Sequence, residues 1–314
     1  MLLVPRVDLA ELRRAAPGGD LDAYAREFGL PGWAALELEV ERRQVLNSRD
    51  LARLDSLLAN DPSLATTRMG PWSDHKGGAD VLGYLAMLRF DRRRLGLPAD
   101  LPGTGAMTTA LIAAGAPVDG HPDIDRETPL ITAASYGDAE VAQALIDAGA
   151  DINAVSAPTS GGVPSGSALQ HAAVYGMTAV LDVLVAAGVR ITSLEMAAAA
   201  GNIDGWPLAR FSAQSRLRAL VFAADHQRLN VLEQLVTFGT PVNEPDADWH
   251  RLPLHTAAGG GKAAAVRWLL AHGADPTIQD PTHHSTPLDH CTHADPHEES
   301  PTHQEVAALL RPLT

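Results

Sequence analysis

One ten-residue string decides the fold: Leu252-Pro-Leu-His-Thr-Ala-Ala-Gly-Gly-Gly261. Close copies are Thr128-Pro-Leu-Ile-Thr-Ala-Ala-Ser-Tyr-Gly137 and Ser167-Ala-Leu-Gln-His-Ala-Ala-Val-Tyr-Gly176, and weaker copies begin at Asp80, Thr192, Arg218 and Thr286. A Thr or Ser at the start caps a helix, and Pro fits the first turn, where no N–H is needed. Leu and the Ala pair face the neighbouring helices. Each copy of this repeat string therefore predicts a short helix packed closely through small side chains.

A second helical segment follows the string and ends at a glycine, as in residues 141–149 and 266–273. Glycine at this position supplies the left-handed conformation that ends a helix. Gly115 and Gly149 are 34 residues apart, and so are Gly239 and Gly273. This spacing is close to the ankyrin period of about 33 residues.

The chain resembles the ankyrin-repeat family, whose pattern T-P-L-H-x-A-A with a G-A-D-x-N finger is matched by Leu252–His255 and by Gly149-Ala-Asp-Ile-Asn153. The resemblance covers roughly residues 50–314. Upstream, residues 25–36 are similar to a short helical segment that precedes the repeats in many bacterial ankyrin proteins, and the whole chain resembles an uncharacterised bacterial family of this kind.

The resemblance implies an all-α solenoid of about seven helix pairs. Residues 1–48 would form a helical N-terminal cap and residues 49–314 the repeat array, with units that start near residues 80, 128, 167, 192, 218, 252 and 286. It implies no particular activity, because ankyrin arrays bind many unrelated partners.

The spacing of the strings predicts irregular middle units. Thr192 follows Ser167 by 25 residues and Arg218 follows Thr192 by 26, so both units are expected to lack a full β-turn finger. Residues 157–166 form an enlarged finger rich in Gly, Pro and Ser, and residues 68–78 and 90–103 are predicted to be further loops. Long insertions in repeat arrays are either functional or tolerated surface decoration.

The charge and the motifs of the chain limit the partners and cofactors that we expect. The 24 Lys and Arg against 38 Asp and Glu give a formal charge of -14, which repels nucleic acid. A single cysteine, Cys291, fits a reducing cytoplasm, and residues 1–8 lack the apolar run of a secretory signal. We expect a cytoplasmic monomer with no membrane span and no cofactor, since phosphate-binding loops and nucleophile elbows are absent from the sequence.

The positions after the Ala pair predict the binding surface. There the first helix of an ankyrin unit ends beside the groove, and the fingers offer further side chains. The predicted binding residues are Tyr136, Tyr175, Asp225, His226, Arg126, Trp206, Trp249 and His250. We expect them to bind a protein partner without catalysis. The alternative is a small-molecule binding protein or an enzyme that uses a pocket formed by the groove and the irregular middle repeats. In an enzyme, His226 would be the acid or base with Asp225 as its neighbour, although adjacent residues of a helix do not face each other.

The His-rich end offers a weaker metal hypothesis. His290, His293 and His297 could share one helix face with Glu298 nearby, but Pro296 interrupts the helix and the spacing matches no established zinc motif. Cys291 occupies an Ala position of the string and is predicted to be a buried core residue, so no metal site is predicted. His255 is expected to tie adjacent repeats together. The run Arg92–Arg94 is expected to be solvated or to contact an acidic partner.

Overall fold

The computed structural model describes residues 9–70, 78–121, 125–293 and 301–313. Within these ranges every regular element is helical, and the only β-pairings are the isolated bridges Met69–Ala79 and Val155–Ser167. The chain is therefore the all-α repeat solenoid that the repeat string predicts. No helix in these ranges combines the length and the apolar content that a membrane span requires.

The chain forms two compact units, Met1–Ala172 and Ala173–Thr314. The helices that begin in the first unit are α1 (Leu9–Ala15), α2 (Leu21–Glu27), α3 (Trp33–Ser48), α4 (Leu51–Asn60), α5 (Val81–Ala86), α6 (Leu88–Leu95), α7 (Thr104–Ala113), α8 (Pro129–Tyr136), α9 (Ala139–Asp147) and α10 (Ala168–Val174). Helix α10 runs across the division. The boundary expected after residue 48 is not where the two compact units divide, and it stays a prediction.

The helices of the second unit are α11 (Thr178–Ala186), α12 (Leu194–Ala200), α13 (Ala213–Asp225), α14 (Leu229–Thr237), α15 (Pro253–Gly259), α16 (Ala263–Ala271), α17 (Pro287–His293) and α18 (Pro301–Leu310). Helices α12 to α18 share a core made mainly of Leu, Val and Ala side chains, with Ile203 and Cys291 among them. Cys291 is buried, as predicted from its place in the string.

The string produces helices by the expected local mechanism. Thr128 Oγ1 accepts a hydrogen bond from the Ile131 N–H at 3.3 Å, and Ser193 Oγ accepts one from the Met196 N–H at 3.2 Å. Helix α8 ends at Gly137, whose φ of 79° lies in the left-handed region. The capping hydroxyl and the terminal glycine thus set both ends of the helix.

Two irregular regions differ from the sequence expectation. Residues 90–95 belong to helix α6 and not to a loop, so the run Arg92–Arg94 forms its last turn. The short spacing between Thr192 and Arg218 arises because the unit has no second α-helix. A single 3₁₀ turn, Leu208–Arg210, takes its place. Helix α13 begins five residues before Arg218 because Ser212 caps it.

A buried charge network connects helix α3 to the segment that follows helix α4. Arg42 donates to Glu39 at 2.6 Å and to the carbonyls of Leu64 and Thr67 at 3.0 and 2.9 Å. Arg43 also pairs with Glu39, and its Nη2 donates to the Gly70 carbonyl at 2.7 Å. The N-terminal helices and the residues after position 48 are therefore joined by buried polar contacts.

The enlarged finger is anchored to the first unit. His171 is fully buried, and its Nε2 donates to the Val163 carbonyl at 3.1 Å while its Nδ1 lies 2.8 Å from Ser135 Oγ. Ser160 Oγ, within the finger, donates to Glu127, which precedes helix α8. Residues 157–166 are consequently a folded part of the repeat.

Candidate functional site

A cavity of about 500 Å³ lies in the second unit, beside the ends of the first helices and the fingers that precede them. We call it the second-unit cavity. Its lining residues are Val174, Tyr175, Asp225, Trp249, His250, Arg251, Leu252, His255, Thr256, Gly259, Asp280, Thr282, His283 and His290. Four of the eight residues that the sequence predicts for binding are in this set: Tyr175, Asp225, Trp249 and His250.

Trp249 stands on a finger that a buried aspartate holds in shape. Asp246 is fully buried, and its carboxylate accepts hydrogen bonds from the backbone N–H groups of Asp248, Trp249 and Arg251 at 2.9 to 3.0 Å. The Trp249 indole packs edge-on against Phe222 with ring centroids 5.9 Å apart, yet 48% of the residue is exposed. A large aromatic side chain is thus held in place at the cavity with much of its surface uncovered.

The next finger repeats this construction with a different side chain. The Asp280 carboxylate accepts from the N–H groups of Thr282, His283 and Ser285 at 2.7 to 3.0 Å, and from His290 Nε2 at 3.0 Å. Burial alone would raise the pKa of Asp280, but these four hydrogen bonds together hold the pKa well below its ordinary value. Asp280 is therefore an ionised carboxylate whose acceptor capacity is already used.

His255 connects this second finger to helix α15, as its place in the string predicts. Its Nε2 donates to the carbonyls of Ile278 and Ser285 at 3.0 and 3.1 Å. Burial, with a contribution from the neighbouring His290, lowers the pKa of His255. The imidazole is therefore neutral near pH 7 and acts as a structural donor.

Asp225 is the last residue of helix α13 and differs from Asp280 in lacking partners. Only 8% of the residue is exposed. Among the residues that the structure describes, no group donates a hydrogen bond to its carboxylate or forms an ion pair with it. Burial raises the pKa of Asp225 to about 6, although Lys262 and Arg251 act in the opposite direction. A buried carboxylate without donors is costly, so its presence at a cavity is a signal of binding function.

His226 does not line the cavity. It is 1% exposed, its Nε2 donates to the Ala173 carbonyl at 3.0 Å, and its Nδ1 accepts from Thr178 Oγ1 at 2.9 Å. Burial lowers the pKa of His226 to about 4, which leaves the ring neutral. The hypothesis of His226 as an acid or base with Asp225 as its neighbour is therefore wrong, because both of its nitrogens are used inside the core.

The other predicted binding residues lie elsewhere. Tyr136, in the first unit, is half-buried and packs on Phe90 with ring centroids 4.8 Å apart. Arg126 is exposed and donates to the Thr159 carbonyl of the enlarged finger at 3.1 Å. Trp206, in the second unit, packs against the core and is not among the residues that line the cavity.

Sequence reasoning missed the polar wall formed by Arg251, Asp280, His283 and His290. A usable signal was present, because Asp280 follows Asp246 by 34 residues, one repeat period. His283 follows Asp280 by three residues, just as Trp249 follows Asp246. Equivalent positions on successive fingers face the same way in a repeat array, so the two side chains could have been paired from the period alone.

One cluster in the first unit has the composition of a metal site. Asp80, His121 and Asp125 each place a possible ligand atom within 4.8 Å of the others. However, Arg68 donates to both carboxylate oxygens of Asp125 at 2.8 Å, and Asp80 Oδ1 accepts from the Gly83 N–H at 2.8 Å as a helix cap. A cation would have to displace the Arg68 guanidinium, so we interpret the cluster as an ion pair beside a helix cap.

The structure accounts for part of the His-rich end. His293 Nδ1 lies 2.9 Å from the carbonyl of Asp289, whereas His290 turns to Asp280. These two imidazoles therefore have different partners. His297 and Glu298, the other members of the hypothetical metal set, lie outside the described residues, as does Pro296.

Comparison with known proteins identifies the family of this chain. A model of ankyrin repeats in three copies matches residues 103–195, and a model of ankyrin repeats in many copies matches residues 235–291. A stretch of 65 residues is 37% identical to palmitoyltransferase AKR1 of Lachancea kluyveri and spans 21% of this chain but only 9% of that protein. The crystal structure of the human ASB11 ankyrin repeat domain is 21% identical, with 73% of this chain and 97% of that chain covered and a TM-score of 0.33. The two family models match segments that contain three copies of the repeat string: the chain is an ankyrin-repeat protein.

Proposed function

We propose that the chain is a non-catalytic scaffold that binds a protein partner, and that the second-unit cavity is where the partner is anchored. Ankyrin repeats are generally scaffolds for protein–protein interaction. The observation that carries the proposal is the exposure of Trp249 on a finger fixed by Asp246. Rigid, partly exposed Trp and Tyr side chains are enriched among the residues that dominate binding energy.

Tyr175 supports the same surface from a different element. It follows helix α10, 42% of the residue is exposed, and it lines the cavity together with Trp249. Two aromatic side chains beside buried polar groups provide an anchor for one inserted side chain of a partner. The -14 formal charge of the chain favours a partner whose contact surface is basic.

A site-specific photo-crosslinking experiment tests this proposal. A photoreactive phenylalanine analogue is placed at Tyr175 and, as a control, at Phe238, which is 44% exposed in the same unit but does not line the cavity. We expect a protein from cells of the source organism to crosslink from position 175 and not from position 238. Excess unmodified chain should compete, and the Trp249→Ala chain should not. Equal crosslinking from both positions, or equal competition by both chains, contradicts the proposal.

A second candidate function is the binding of a small molecule. It is favoured by the cavity volume of about 500 Å³, because small-molecule sites typically have volumes of about 300–1,000 Å³ and a few convergent polar groups. Native mass spectrometry of the freshly isolated chain distinguishes the two. A bound mass that disappears in the Trp249→Ala chain supports a small ligand, and its absence together with position-specific crosslinking supports a protein.

A further inference from the structure

The unpartnered carboxylate of Asp225 indicates what the cavity binds. The other carboxylate of the cavity wall, Asp280, already accepts four hydrogen bonds. Asp225 accepts no hydrogen bond from the described residues, although only 8% of it is exposed. A ligand with hydrogen-bond donors would therefore gain most at Asp225, where the desolvation cost has already been incurred.

The surrounding backbone leaves room for this carboxylate. A Cβ atom added at Gly176 or at Gly260 would lie 3.2 Å from Asp225 Oδ1, closer than ordinary van der Waals contact. At Gly260 the backbone φ of -83° suits any residue, so the turn itself does not require glycine there. The clearance around Asp225 Oδ1 thus depends on two positions that have no side chain.

The charged groups around the cavity leave Asp225 without a paired cation among the described residues. The charged residues in the cavity lining are two carboxylates, Asp225 and Asp280, and one arginine, Arg251. Four histidines and Tyr175 are also in the lining. Lys262, which lies outside that lining set, directs its Nζ to the Gly176 carbonyl at 3.5 Å. Arg251 lies over the Trp249 ring, with its guanidinium carbon 5.5 Å from the ring centroid. Lys262 and Arg251 together balance the two carboxylates in charge, but neither of them forms an ion pair with Asp225 among the described residues. The cavity therefore offers an unpaired carboxylate next to an aromatic face that already stacks a guanidinium.

We propose that the second-unit cavity binds the guanidinium of a partner's arginine side chain, paired with Asp225 and flanked by Trp249 and Tyr175. Arginine fits better than lysine because its planar fork of donors matches a carboxylate and its flat face stacks on aromatic rings. This inference rests on the proposed function, because it takes the cavity as the place where the partner is anchored. It adds the chemical identity of the anchoring group.

The probes are N-acetyl-arginine amide, the neutral and nearly isosteric N-acetyl-citrulline amide, and the anionic N-acetyl-glutamate amide. Each is titrated into the full chain while the indole N–H resonance of Trp249 is followed by NMR, assigned by its loss in a Trp249→Phe chain. We expect saturable shifts with the arginine amide and an affinity at least roughly tenfold lower for the citrulline amide, as a lost charge-assisted hydrogen bond implies.

Two variants change the charge in opposite directions. Asp225→Asn keeps the side-chain shape and should weaken binding of the arginine amide by roughly tenfold or more. Arg251→Gln removes one of the two cations that act on Asp225, the other being Lys262, and should strengthen binding of the arginine amide. An anion-binding cavity would show the reverse pattern, with preference for the glutamate amide and weaker binding in the Arg251→Gln chain.

The outcomes separate the two proposals. Equal binding of arginine and citrulline amides, unchanged binding in the Asp225→Asn chain, or preference for the glutamate amide overturns the arginine inference. If crosslinking from position 175 persists in that case, the anchoring function stands and only the anchor chemistry is wrong. If the arginine amide binds as expected but no partner crosslinks from position 175, the cavity chemistry stands and the protein-anchoring function is wrong.

Discussion

At the residue scale, the burial of Asp225 makes the stability of the fold depend on pH. Burial raises the pKa of Asp225 to about 6 from an ordinary value of 3.8. The folded chain therefore holds this proton more readily than the unfolded chain, and the contribution of Asp225 to the free energy of unfolding falls as the pH rises from about 4 to about 6. Above pH 6 an ionised, unpartnered carboxylate destabilises the fold.

We predict that Asp225→Asn raises the free energy of unfolding at pH 7.5 by about 3 kcal/mol and changes it little at pH 4. Urea denaturation of both chains across this range measures the difference. His226 has the opposite pH dependence, because its pKa is lowered to about 4 and its contribution to stability is lost on acidification. Both chains contain His226, so subtracting one free energy of unfolding from the other isolates the effect of Asp225. A difference that does not depend on pH would show that Asp225 is not a strained carboxylate.

The two tyrosines should respond differently to truncation. Tyr175 is 42% exposed at the surface, so Tyr175→Ala should change the free energy of unfolding by less than about 0.5 kcal/mol. Tyr136 packs against Phe90, and Tyr136→Ala should cost about 1 kcal/mol from the aromatic pair. Thermal and urea unfolding of both variants tests this. Equal losses would mean that Tyr175 is also a packing residue and would weaken its place in the binding surface.

The sequence could group Tyr175, Asp225, Trp249 and His250 because the repeat period alone places equivalent positions side by side. It could not show that His226 points into the core. His226 is adjacent to Asp225, and a rotation of about 100° per residue sends neighbouring helical side chains in different directions. Partner atoms such as Thr178 Oγ1, 48 residues away, are visible only in the folded chain.

At the element scale, the network on helix α3 shows how the N-terminal helices are attached. We predict that Arg42→Ala lowers the free energy of unfolding by about 3–5 kcal/mol. The substitution removes one donor from the buried Glu39 carboxylate and the Arg42 donor from the carbonyls of Leu64 and Thr67. The control is Arg53→Ala, whose ion pair with Glu41 lies at the surface and should be nearly neutral. Similar effects of the two variants, measured by urea denaturation, would contradict this account.

The irregular elements set the limit of prediction at this scale. The period correctly located the short units, but a spacing of 26 residues can arise from a missing finger or a missing helix. In the unit near residue 192 the second helix is the missing part, and Trp206 and Phe211 pack against the core beside the 3₁₀ turn that replaces it. Whether the finger or the helix is missing depends on which side chains fill the space between neighbouring repeats, and the spacing of the strings does not show this.

At the scale of the whole molecule, the terminal repeat should protect its neighbour. Val306, Ala307 and Leu310 of helix α18 belong to the same buried cluster as Val266 and Leu269 of helix α16. A chain that ends at residue 285 exposes this apolar surface, so we predict aggregation on light scattering and loss of a cooperative unfolding transition. A chain that ends at Leu310 lacks the exposed residues 311–313 together with Thr314, and it should behave normally. A soluble, cooperative chain that ends at residue 285 would contradict the shared-core account.

The central claim is that the second-unit cavity anchors the partner, and the most direct measurement is calorimetric titration of the crosslinked partner, once purified, into three chains. We predict that Trp249→Ala weakens binding by about 2 kcal/mol or more, a cost common for buried aromatic anchors, while Phe238→Ala leaves binding unchanged. Both chains must unfold at the wild-type urea midpoint for the comparison to count. Equal affinity of the Trp249→Ala and wild-type chains would contradict the claim and place the binding surface elsewhere on the chain.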